Sequence, residues 1–116
     1  MDKIYKQTML FDFYGELLTE HQRRIYEDVV YNDMSLGEIA EEQGISRQGV
    51  HDLVRRCDRI LQGYEDKLHL VERFVRARET VSQIEQLTAD SLEDGVQIRE
   101  NLVRIRTLSR ELLTEL

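Results

Sequence analysis

Residues 36–56 read LGEIAEEQGISRQGVHDLVRR. Two short helices that meet at a three-residue corner need a small residue where they cross, a glycine able to adopt positive φ, and apolar wedges on both sides. Ala40 is the small residue, and Gly44 follows four positions later at the turn. Ile39 and Ile45 flank the corner and are expected to pack inward, while Val50 and Leu53 anchor the second helix on the first. That is the spacing of a helix-turn-helix unit, in which the second helix is offered to the major groove. An ordinary helix pair joined by a glycine turn would share much of this pattern, and a fold does not by itself fix a function.

The outward positions of the second helix carry the candidate chemistry. Ser46 stands at its mouth, followed by Arg47, Gln48, His51, Asp52, Arg55 and Arg56. Ser46, Arg47 and Gln48 lie at the end from which a recognition helix reaches base edges, where Arg pairs with guanine and Gln with adenine. Arg55, Arg56 and Arg59 are expected at phosphates, which position a protein without reading sequence. The plainer reading is a solvated face with Asp52 and Arg56 paired at i,i+4. Glu38, Glu41 and Glu42 on the preceding helix oppose a polyanion, so binding through this unit is expected to be weak and salt-sensitive.

Around this unit the chain reads as helix nearly throughout. Apolar residues recur at three- and four-residue spacing, and no proline interrupts them. A first helix is expected over 4–14, with Met9, Leu10 and Phe13 on its apolar face. Thr19 with Gln22, and Ser35 with Glu38, have the spacing of capping boxes. They open helices over about 20–31, burying Ile25, Tyr26 and Val29, and over 36–43. The helix from Arg47 is expected to end near Leu61, with a break at Gln62-Gly63. A long amphipathic helix then runs on Tyr64, Leu68, Val71, Val75, Ile84 and Leu87. The cap-like residues Thr88, Asp90 and Ser91 separate it from a last helix on Leu92, Val96, Leu102, Ile105, Leu108, Leu112 and Leu116. The expected fold is all-α: a helix-turn-helix domain over 1–62 with a winged-helix-like three-helix core, then a C-terminal helical hairpin over 63–116. The hairpin's apolar stripes suit either core completion or pairing of two chains.

Composition narrows the classes. The chain has 116 residues, 41% of them hydrophobic and 34% charged, which suits a folded domain rather than a disordered chain. The net charge of −7 divides as −3, −1 and −3 over 1–34, 35–60 and 61–116, so the helix-turn-helix segment is the least negative. Cys57 is the single cysteine and excludes an intramolecular disulfide. No secretory signal opens the sequence and no apolar run reaches the roughly 18 residues of a membrane span, so a cytoplasmic location is expected. No phosphate loop, nucleophile elbow or metalloprotease signature is present. His51 and Cys57 are six residues apart and diverge around a helix, so no metal site is expected. No cofactor or catalytic residue is assigned.

The opening MDKIYKQTMLFDFYGELLTEHQRRIYEDVVYNDMSLGEIAEEQGISRQGVHDLVRRC resembles the YlxM-like bacterial helix-turn-helix proteins. Their helix-turn-helix is similar to the fourth region of bacterial sigma factors, and LTEHQRRIYEDVVYNDMSLGEIAEEQGISRQGVHDLVRR carries that layout. The resemblance covers roughly the first 75 residues closely and the hairpin loosely. It implies a regulatory role in the pathway of the signal recognition particle, whose GTPase gene neighbours these genes. It also implies promoter-like contacts at Ser46, Arg47, Gln48, His51 and Arg55. The partners to be expected are duplex DNA or the particle's RNA, the particle's GTPase, and a second copy of the chain. No membrane is expected among them.

Overall fold

A computed structural model describes residues 2–116. Six α-helices follow in order: α1 (Lys3–Tyr14), α2 (Glu20–Val30), α3 (Leu36–Gln43), α4 (Arg47–Leu68), α5 (Leu70–Glu93) and α6 (Ile98–Glu115). Short 3-10 turns lie at Gly15–Leu17 and Gly95–Gln97, and there is no strand among the described residues, so the three-helix core carries no wing. The chain divides into two compact units, 1–71 and 72–116.

Local chemistry sets the helix starts in the first unit. The Gln22 N–H donates to Thr19 Oγ1 at 3.2 Å while the Thr19 N–H donates to Gln22 Oε1 at 3.1 Å. Ser35 and Glu38 repeat the exchange at 3.1 and 3.4 Å. Each box satisfies donors that a helix start would otherwise leave orphaned. Ser46 caps α4 alone, its Oγ accepting the Gly49 N–H at 2.9 Å.

The core of this unit fills from every helix. Met9, Leu10, Tyr14, Ile25, Tyr26, Ile39, Ala40, Val50, Val54, Cys57 and Leu61 are buried, and Val71 closes its end. Val29 is half-buried, as is Phe13. Burial pushes the Cys57 thiol up to about 11, as suits a small apolar residue rather than a reactive thiolate.

Two expected boundaries moved. α4 does not break at Gln62-Gly63 but continues to Leu68, where His69 takes the left-handed conformation at φ 56° and its N–H reaches the Glu65 carbonyl at 2.8 Å. A Cβ at Gly63 would meet nothing within 4 Å, so this glycine is tolerated inside the helix rather than required by a turn. α5 likewise runs through Thr88, Asp90 and Ser91. The hydroxyls of Thr88 and Ser91 turn back to the carbonyls of Ile84 and Leu87, both at 2.9 Å, instead of capping a new helix. The break falls at Asp94, whose carboxylate accepts the Val96 N–H at 3.1 Å.

The second unit is a helical hairpin. Asn101 of α6 donates to Ser91 Oγ of α5 at 2.9 Å, just beyond the corner. Ala77, Thr80, Ile84, Leu87 and Ser91 are half-buried along α5, and Asn101, Ile105, Leu108 and Leu112 along α6. The spacing alternates three and four residues, the seam of a coiled coil. Leu92 and Val96, expected to anchor the last helix, are each 84% exposed because the corner turns them outward.

Candidate nucleic-acid interface

The corner between α3 and α4 aims the candidate surface. Gly44 sits at φ 68°, where an added Cβ would meet no atom within 4 Å, so it is needed for its backbone conformation and not for space. The Ile45 N–H closes on the Ala40 carbonyl at 3.1 Å, the long bond of a Schellman close. Ile39, Ala40 and Val50 are buried at the crossing and Leu53 is half-buried. Ile45 departs from expectation. It is 41% exposed and lies against Gly49 on the first turn of α4, because the Schellman close carries it past the core to cover the cap.

Ser46, Arg47, Gln48, His51, Arg55, Arg56 and Arg59 are all exposed on α4. They do not stand equally free. The Ser46 hydroxyl oxygen is occupied by its capping role. The Arg47 guanidinium lies over Gly37 of α3, where a Cβ would come within 3.0 Å of it. Gln48 Nε2 donates to Asp52 Oδ1 at 2.9 Å, and His51 Nδ1 is 3.8 Å from the same oxygen. Asp52 therefore serves its neighbours toward the N-terminus of α4, and the expected Asp52–Arg56 pair does not form. Among the described residues Arg55, Arg56 and Arg59 make no ion pair, whereas Arg23 is paired with Glu16 and Arg24 with Glu20. Glu38, Glu41 and Glu42 stay exposed on α3.

Two part-buried polar joints hold α4 in place, and the sequence did not single them out. The Tyr26 hydroxyl donates to Asp58 Oδ1 at 2.6 Å, and Gln7 Nε2 donates to the same oxygen at 3.0 Å. Burial, reinforced by that carboxylate, drives the Tyr26 phenol far above its usual range. At the other end the Tyr14 hydroxyl donates to Glu65 Oε1 at 2.6 Å and accepts the Leu70 N–H at 3.1 Å. Glu65 Oε1 also accepts the Val71 N–H at 3.0 Å. Desolvation and the Glu65 carboxylate raise the Tyr14 phenol as well. The available signal was an acid beside the core position Cys57, but its partners lie 32 and 51 residues away.

The sequence model of the UPF0122 helix-turn-helix family, described as YlxM / p13 like, matches residues 1–101. The chain belongs to the UPF0122 family. The UPF0122 protein of Acetivibrio thermocellus is 45% identical over 96 residues, 79% of this chain and 82% of its own length. That of Shouchella clausii is 43% identical over 89 residues, covering 77% and 82%. That of Bacillus thuringiensis is 36% identical over 108 residues, covering 93% and 98%. As a UPF0122 protein the chain is a helix-turn-helix protein. Among the described residues no group of three or more His, Cys, Asp and Glu side chains could hold a metal ion. No helix is long and apolar enough to cross a membrane.

Proposed function

We propose that this UPF0122 protein is a cytoplasmic, noncatalytic regulator that binds duplex DNA through α4. The observation that carries the reading is the exposed arginine set Arg55, Arg56 and Arg59, without ion pairs, on the helix that the Gly44 corner presents. Arg47, Gln48 and His51 read base edges once Arg47 leaves Gly37 and Gln48 leaves Asp52, while the three later arginines lie at phosphates. The test is fluorescence anisotropy of a labelled duplex over a salt series, with the Arg47→Ala, Arg55→Ala, Arg56→Ala triple variant as control. Affinity that falls steeply with salt and disappears in the variant supports the reading. Unchanged binding by the variant overturns it.

The second reading is an adaptor within the signal recognition particle pathway, docking on the particle's GTPase. The exposed carboxylates Glu41 and Glu42 beside α4 favour a basic protein surface over a polyanion. An adaptor keeps its partner in the triple arginine variant and loses it when Glu41 and Glu42 become Gln.

A further inference from the structure

We infer that the phosphate-binding surface extends off the helix-turn-helix onto α1, where Lys3 and Lys6 join Arg59 around a groove that seats the nucleic-acid backbone. The groove, about 310 Å³, lies between α1 and α4, and Leu10 and Asp58 are among the residues that line it. Lys3, Lys6 and Arg59 are exposed and make no ion pair among the described residues. Asp58, the acid of the groove, is turned toward the core, where its Oδ1 takes both the Tyr26 hydroxyl and the Gln7 amide. Three cations thus face solvent against one engaged carboxylate, in a protein whose net charge is −7.

The occupant follows from continuity with the reading helix, and the inference rests on the DNA reading above. The major groove is about 12 Å wide, and at about 1.5 Å per residue a helix entering by its N-terminal end leaves it after about eight residues. For α4 that places residues 47–54 within the groove and Arg55, Arg56 and Arg59 over the flanking backbone. Arg59 is one helical turn beyond Arg55, and its own groove opens there toward Lys3 and Lys6. The same strand that leaves Arg55 therefore meets three further cations. The lysine stems line the groove, and their length lets the ammonium ends reach a phosphate.

The experiment measures the full chain against a labelled random-sequence duplex roughly 20 base pairs long, across a salt series. A Lys3→Gln, Lys6→Gln variant is compared with an Arg55→Gln, Arg56→Gln variant, circular dichroism showing that both fold. The lysine variant is expected to bind more weakly on every sequence and to lose about two from the slope of log affinity against log salt. An unchanged slope in the lysine variant, with a lower slope in the arginine variant, overturns the groove and leaves the helix-turn-helix reading standing. The converse result overturns the α4 reading and, with it, the continuity on which the groove's occupant is argued. No duplex binding by the unaltered protein overturns both. Displacement of the duplex by polyglutamate at lower charge concentration than by unlabelled duplex assigns the groove to an acidic protein and overturns the inference.

Discussion

Asp52 sits in the middle of the surface that would meet DNA, and its carboxylate holds Gln48 and draws His51 close. A recognition surface at rest is then partly closed by its own acid. Asp52→Ala removes the acceptor that holds the Gln48 amide, together with a negative charge on the proposed DNA-facing surface. It is expected to tighten duplex binding roughly five-fold at low salt, about 1 kcal/mol, with the gain fading as salt rises. Equal affinity for both proteins at low salt would show that Asp52 faces away from the ligand. Cys57 gives a pH prediction of definite sign. Its thiol moves from 9.0 to about 11 in the fold, so the unfolded chain loses its proton first as pH rises. Stability is fully present below about pH 9 and declines by roughly 2–3 kcal/mol toward pH 11. The buried Tyr26 phenol acts in the same direction at higher pH. Urea midpoints on either side of that window check it, and Cys57→Ala should flatten the decline.

At the scale of elements, what was legible was local. Thr19 with Gln22 and Ser35 with Glu38 are read three residues apart, and both boxes form as two-way hydrogen bonds. The buried stripe of α4 follows from its period. The C-terminal end of α4 did not follow, because His69 in a left-handed conformation carries no local signal, while Gly63 carries a false one. The solvent face of α4 was legible too, but the resting places of Arg47 and Gln48 were not, since each depends on which neighbour wins a competition among several within reach. The Ser46 cap belongs to this scale. Ser46→Ala should cost about 1 kcal/mol, read from urea unfolding, and fray the turn that carries Arg47 and Gln48. Duplex affinity falls with it under the DNA reading. Tyr14→Phe strips the Leu70 N–H of its acceptor and Glu65 of a donor. A loss of about 1–3 kcal/mol is expected in the same measurement. A change within a few tenths would mean that water replaces the hydroxyl at little cost.

For the whole molecule, the two units differ in how far they satisfy themselves. The first has a buried core drawn from all its helices. In the second, no residue of 72–116 is buried, and Leu102, Val103 and Leu113 on α6 and Leu116 just beyond it lie well exposed. A two-helix hairpin rarely supplies enough burial to hold itself, and a second copy of the chain would cover such a face. We therefore expect a thermal midpoint that rises with protein concentration and a dimer in sedimentation equilibrium. A monomer with a concentration-independent midpoint would exclude pairing.

The joints of α4 have a consequence for how the chain is made. Gln7 and Tyr26 wait for Asp58, and Tyr14 waits for Glu65, across 51, 32 and 51 residues respectively. A ribosome delivering this chain from its N-terminus releases α1 and α2 long before either joint has its acid. Residues 72–116 then take roughly 2–9 s to add, at about 5–20 residues per second. Every partner in these joints lies within the first unit, so that unit can close before the hairpin is complete.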